Sequence, residues 1–225
     1  LAADYSQIEL RILAHISGDE NLRAAFARDE DVHRRTAAAV YGVAVQDVTS
    51  EMRAVAKTAN FAIIYGVSAF GLAQQTELTV GEAREFIDTY FERYPRVKAY
   101  MDAAIRQARE EGFVSTLLGR RRFLPEIHSE HRQRREFAER TAINTPIQGT
   151  AADLIKVAMI EIHRRLAGMR SQMVLQVHDE LVFDAHTDER EDVEKIVRSG
   201  MEGALKLDVP LKVDLGVGAN WLEAK

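Results

Sequence analysis

The 225 residues carry 30 Lys and Arg against 35 Asp and Glu, a formal net charge of −5, with 46% hydrophobic and 29% charged residues, the balance of an ordinary globular chain. Cysteine is absent, which excludes disulfides and thiolate metal sites, and no apolar run reaches the length of a membrane span. The acidic total argues against a nucleic-acid partner, but the charges are segregated. Arg120, Arg121, Arg122, Arg132, Arg134 and Arg135 gather mid-chain, while Asp188, Glu189, Glu191, Asp192 and Glu194 load one late segment. Salt screens charges beyond about 10 Å, so a basic cleft can coexist with an acidic exterior. The chain opens at Leu1, inside an apolar segment and without Met, and is expected to be a piece of a longer polypeptide.

In chain order, Leu1 to Asp4 reads as a strand, and Ser6 to Glu9 has capping-box spacing for the helix that follows. Gly18 and Asp19 end that helix and begin a short one to about Arg28. Asp31 caps a third, Val32 to Tyr41, whose early cations His33, Arg34 and Arg35 oppose the helix macrodipole and so suit a ligand. Ser50 caps a fourth helix and Gly66 stops it. A second capping box, Thr79 to Glu82, opens a helix to about Arg93. Pro95 starts the next, up to Glu111, and Gly112 breaks it. Phe113 to Leu124 reads as a hairpin around Gly119. Helices are expected from His131 to Thr145, ending near Pro146, and from Thr150 to Leu166. Strands Met173 to Val177 and Leu181 to Ala185 flank a turn at His178, Asp179 and Glu180. A polar helix from Asp188 to Leu205 and a strand from Leu211 to Val217 close the chain. Hairpin-connected strands predict an antiparallel sheet, hence α+β.

The fourth helix has two opposed faces. Met52, Val55, Ala56, Ala59 and Ile63 form an apolar stripe, and Arg53, Lys57, Phe61 and Tyr65 follow one another at intervals of four on the other side. Two cations and then two aromatics, with no acid among them, fit a ligand with phosphates at one end and a flat ring at the other. A surface helix with half-buried aromatics fits the same pattern. Asp4 ends an apolar strand, and Asp179 stands at a hairpin tip. Each alone is equally a helix-start or turn residue. On neighbouring strands they would converge, and like charges that close call for a hard divalent cation such as Mg²⁺. Two metals held by two aspartates, facing a helix suited to a triphosphate and a base, would make a nucleotidyl-transfer site.

Asp4-Tyr5-Ser6-Gln7-Ile8-Glu9-Leu10-Arg11 resembles the first polymerase motif of the bacterial DNA polymerase I family, family A. Arg53, Lys57, Phe61, Tyr65 and Gly66 resemble the second motif, and Val177-His178-Asp179-Glu180 the third. Asp31 to Arg34, Leu118 to Arg122 and Thr145 to Gly149 extend the likeness over essentially the whole chain. The resemblance implies a palm of residues 1–14 and 134–225 and a large helical fingers insertion of residues 15–133. The thumb and first part of the palm would lie upstream. It implies template-directed DNA synthesis on primer-template DNA from dNTPs, with two Mg²⁺ ions (Mn²⁺ a possible substitute), by a monomer in the bacterial cytoplasm, at the nucleoid.

By the same resemblance Asp4 and Asp179 are metal ligands with the Tyr5 carbonyl assisting, and Glu180 is a secondary acid near the primer end. Arg53 and Lys57 hold the triphosphate with His33 beside them, and Lys57 donates the proton to pyrophosphate. Phe61 and Tyr65 lie against the incoming base and sugar or the templating position, and Gln7 belongs to the same nucleotide site. Gln148, Arg140, Asn144 and His178 contact primer-template, where minor-groove acceptors test pair shape without reading sequence. Glu9 has a local reading as a capping-box acid, and the resemblance makes it a steric gate against the ribose 2′-OH. Phe61, where some relatives have Tyr, implies poor acceptance of dideoxynucleotides. Ala62 departs from an expected glycine. Arg120, Arg121 and Arg122 read either as a grip on template phosphate or as a solvated arm. The rivals are a single-subunit RNA polymerase, against which Glu9 argues, and an inert nucleic-acid-binding fragment.

Overall fold

The computed structural model describes residues 1–224. Its elements run β1 (Ala2–Tyr5), α1 (Ile8–Ser17), α2 (Glu20–Ala27), α3 (Val32–Tyr41), α4 (Ser50–Ile64), α5 (Ala69–Ala73), α6 (Val80–Arg93), α7 (Pro95–Glu111), β2 (Phe113–Ser115) and β3 (Arg121–Phe123). Then come α8 (Arg132–Arg165), β4 (Gln172–Val177), β5 (Glu180–Asp184), α9 (Arg190–Glu202) and β6 (Val213–Gly216). Two compact units share them, residues 1–12 with 148–225, and residues 13–147.

The first unit is built on an antiparallel sheet of order β4-β5-β1-β6. The apolar run at the start of the chain becomes an inner strand because Ala2, Ala3 and Tyr5 bury, and the period of two leaves Asp4 exposed. Val193, Val197 and Met201 of α9 are fully buried, and Tyr5 Oη donates to the Met201 carbonyl at 2.7 Å. Gly200 lets α9 approach α8, since a Cβ there would meet Ile162 Cγ1 at 2.6 Å. Buried Arg11 fixes the start of α1 by donating from Nε to the Ser6 carbonyl and from Nη1 to the Pro210 carbonyl. Edge strand β4 carries a register shift between Met173 and Leu175, a common protection for an exposed edge.

The second unit is helical apart from the β2–β3 hairpin. Helix α3 packs along α4, α5 along α6, and the hairpin against α7. Thr79 and Glu82 close the expected capping box on α6. Helix α4 ends in a Schellman motif, with the Gly66 and Val67 amides donating to the Ile63 and Ala62 carbonyls and Gly66 at a left-handed φ of 69°.

Several boundaries differ from the sequence expectations. The α4 cap is Thr49, which accepts from the Met52 amide, and not Ser50, which is already helical. Helix α1 begins one residue later than the Ser6–Glu9 spacing implies, because left-handed Gln7 precedes it and accepts its first turn's bond from Arg11. Strand β5 begins at Glu180, so the hairpin loop is only His178 and Asp179. The late polar helix is shorter at both ends, starting at Arg190 after a 3₁₀ turn and stopping at Gly203. The largest difference is α8, which runs unbroken through Pro146. A proline inside a helix removes one amide donor. Here Ala142, Ile143, Ile147 and Leu154, all buried, bracket it, and packing overrides the local breaker.

Candidate functional site

The first unit gathers acids. Asp4 lies opposite Glu180 on β5 and opposite Asp214 on β6, so its neighbour on each side is an acid. The Tyr5 amide donates to the Asp179 carbonyl at 3.3 Å, and Asp4 and Asp179 line the same cavity at the end of adjacent strands. The expected convergence is therefore present. Lost hydration between the strands and the charges of Asp179, Glu180 and Asp214 together raise the Asp4 pKa to about 6. A cavity of about 460 Å³ opens over the group, lined by Asp4, His178, Asp179, Glu180 and Asp214. His178 sits at the hairpin tip with φ 53°, a left-handed conformation in which His is several-fold enriched. Its carbonyl accepts from Gln176 Nε2.

The four carboxylates are hard oxygen donors, which fits a divalent ion such as Mg²⁺. Among the described residues no three His, Cys, Asp or Glu side chains close around one point. Two carboxylates with open positions suit Mg²⁺, which keeps water and takes substrate phosphates. Tyr5 turns its side chain to the opposite, buried face from Asp4. Gln7 keeps a buried Oε1 with no partner, and Gln148 is exposed.

The second unit carries the cationic-aromatic row. Arg53, Lys57, Phe61 and Tyr65 are all at least partly exposed, while Ala56, Ala59 and Ile63 bury on the other side of α4 and Asn60, from outside the expected stripe, buries at the flank of the row. Met52 and Val55 of that stripe are only half-buried. Arg53 Nε donates to Asp31 Oδ2 at 2.6 Å, while Asp31 Oδ1 accepts from the Arg34 amide and caps α3. Burial works to raise the Asp31 carboxyl, but these bonds and the Arg53 charge hold it below the usual carboxylate range.

His33 is buried against the same row, its ring centroid 5.8 Å from that of Phe61, which in turn lies 6.4 Å from Tyr65. Burial, against the pull of Asp31 and with the help of Arg53 and Lys57, lowers its pKa to about 4. It is thus neutral at pH 7. Asn60 Nδ2 donates to Nδ1 at 2.9 Å, which places the ring proton on Nε2. Arg34 and Arg35 have local partners, the Val45 carbonyl and Glu30. Arg140 lies 3.2 Å, through Cγ, from where a Cβ on Gly66 would stand, and Asn144 follows it by one turn of α8 with Oδ1 buried and unpartnered.

The sequence model of DNA polymerase family A matches residues 1–223. The chain belongs to that family. Family A relatives include DNA polymerase I of Bacillus subtilis, 54% identical over all of this chain, and that of Pseudomonas aeruginosa, 55% identical over the same span. Thermostable DNA polymerase I of Thermus filiformis is 49% identical. The chain spans 26%, 25% and 27% of those three relatives, about a quarter of their length. Among solved structures, the POL domain of Pol1 from M. smegmatis, in complex with DNA primer-template and dNTP, superposes with a TM-score of 0.95 at 48% identity. That match covers 99% of this chain and 40% of the other, and the α+β fold is that of a family A polymerase-domain fragment. No helix of the described residues is long and apolar enough to cross a membrane.

Asp31, Asn60 and Asp214 escaped the sequence reading as site residues. Asp214 had a signal, an acid at an alternate position of an apolar strand. Asp31 was legible only as a helix cap, and Asn60 had no signal, because their partners in the site lie 22 and 27 residues away.

Proposed function

We propose that this chain is the palm and fingers of a template-directed DNA polymerase, transferring a deoxynucleotidyl group from dNTP to a primer 3′-OH with release of pyrophosphate. The observation that carries the reading is the adjacent Asp4 and Asp179 at one end of an antiparallel sheet, lining one cavity, in a chain matched to family A along its length. The sheet-bearing unit would be the palm, and the unit of residues 13–147 the fingers.

Asp4 and Asp179, with the Tyr5 carbonyl, would hold two Mg²⁺ ions, or Mn²⁺ in their place. What the ions supply when bound is Lewis-acid stabilisation of the charge on the transferring phosphoryl group. Arg53 binds the triphosphate with its guanidinium already oriented by Asp31, which limits the ordering cost of binding. His33 is neutral and donates through Nε2 without adding charge. Lys57, exposed four residues after Arg53, holds phosphate and protonates the leaving pyrophosphate. Phe61 and Tyr65 offer ring faces to the base and sugar. Gln7 and Glu9 contribute to the nucleotide site, Glu9 by excluding a 2′-OH. Arg140, Asn144 and Gln148, spaced four apart on α8, meet primer-template together with His178, and Glu180 lies near the primer end.

The test is primer extension by this chain joined to the upstream length its relatives have. Extension with dNTPs, refused with rNTPs and reduced at least about a thousandfold in Asp179→Ala, is expected. Equal extension from rNTPs would favour an RNA polymerase, and activity surviving Asp179→Ala would overturn the metal site.

A further inference from the structure

Strand β6 runs into a turn, residues 217–224, that folds back onto the acidic cavity. The turn is tied by its own polar groups. Asn220 Nδ2 donates to Glu223 Oε1 at 2.7 Å, Asn220 Oδ1 accepts from the Glu223 amide at 3.1 Å, and the Ala219 amide donates to Glu223 Oε2 at 3.2 Å. Glycines seat it against the strand. A Cβ on Gly216 would collide with the Ala224 carbonyl, and one on Gly218 would meet the Glu223 carbonyl carbon at 2.6 Å. Ala224 is buried and lines the cavity.

Apolar burial does not explain this seat, because Leu222 is 85% exposed and Trp221 37%. What the turn delivers is a directional bond. The indole Nε1–H of Trp221 donates to Glu180 Oε1 at 3.0 Å. Glu180 is the cross-strand neighbour of Asp4 and has three rotatable bonds, so a donor fixed to one oxygen restrains it where three other acids would repel it.

We propose that Trp221 is a positioning residue for Glu180, the last turn of the chain holding that carboxylate in place beside Asp4 and Asp179. The inference rests on reading the cluster as the nucleotidyl-transfer site. Trp221 touches no reacting atom. It acts through Glu180, as a hydrogen-bonding partner outside the ligand shell acts on a metal centre.

Trp221 is the single tryptophan of the chain, so a ¹⁵N-labelled sample gives one indole Nε1–H resonance. In the 225-residue chain that resonance is expected downfield and slow to exchange with solvent, and Glu180→Ala is expected to move it and remove the protection. In the polypeptide carrying the upstream length, Trp221→Phe is expected to lower kcat about tenfold and raise the Mg²⁺ concentration for half-activity, at unchanged KM for dNTP. Trp221→His, which keeps an N–H donor, restores part of the loss. Gly216→Ala, which leaves the indole intact but unseats the turn, reproduces it. An indole resonance indifferent to Glu180→Ala, or a Trp221→Phe enzyme with wild-type kcat and Mg²⁺ dependence, would overturn the proposal. Extension surviving Asp179→Ala would sink the polymerase reading instead, and the indole resonance decides the positioning bond separately.

Discussion

On α3, the Asp31 carboxylate divides its oxygens between a helix cap and a cation, Oδ1 accepting from the Arg34 amide and Oδ2 from Arg53 Nε. The two roles separate on substitution. Asp31→Asn keeps the cap and loses the charge, whereas Asp31→Ala loses both and is expected to cost about 1 kcal/mol in urea unfolding. Each is expected to raise KM for dNTP about tenfold in extension assays, because Arg53 must then be ordered by the substrate alone. His33 offers a pH test. Its folded pKa of about 4 lies below the ordinary 6.5, so between those values the unfolded chain binds the proton that the folded chain refuses. The His33 contribution to stability is full above pH 6.5 and falls as the pH drops through this window, by on the order of 3 kcal/mol at pH 4. Asp4, whose pKa is raised to about 6, acts in the opposite sense over this window in both proteins, so the test is the difference: urea stability of the wild type should fall relative to that of His33→Gln as the pH drops from 6.5 to 4. An identical slope in both would contradict the buried neutral imidazole. The Arg53–Lys57–Phe61–Tyr65 row was legible because helical spacing alone aligns it. The partners that tune it, Asp31 and Asn60, are set by how α3 packs along α4, and the sequence is silent on that.

At the scale of elements, local chemistry was read best where one residue type decides the backbone. The Thr79–Glu82 capping box and the Gly66 stop both formed where expected. Gly66 is needed at its positive φ, and a Cβ there would also press on Arg140, so Gly66→Ala is expected to destabilise by about 2 kcal/mol in urea unfolding. The expectations that missed were those in which tertiary packing outweighs a local signal. Pro146 reads as a helix end, and the burial of Ile143 and Ile147 on either side carries α8 straight through it. The one-residue offset at α1 comes from the left-handed Gln7, which no spacing rule announces.

For the whole molecule, the antiparallel character of the sheet was legible from two apolar strands with a tight turn between them, though not the order β4-β5-β1-β6. Nor was the register. It sets Asp214 against Asp4 from β6, turning a pair of aspartates into a group of four acids around one cavity. Such a concentration of like charge is costly without a counter-ion and useful with one. The direct measurement is Mn²⁺ titration of this chain followed by the electron paramagnetic resonance of the free ion. Saturable binding at pH 7.5 that weakens at least about tenfold in both Asp4→Asn and Asp179→Asn, with no loss of folded signal, is the expected result. Binding of the same strength in the Asp4→Asn/Asp179→Asn double variant would contradict it.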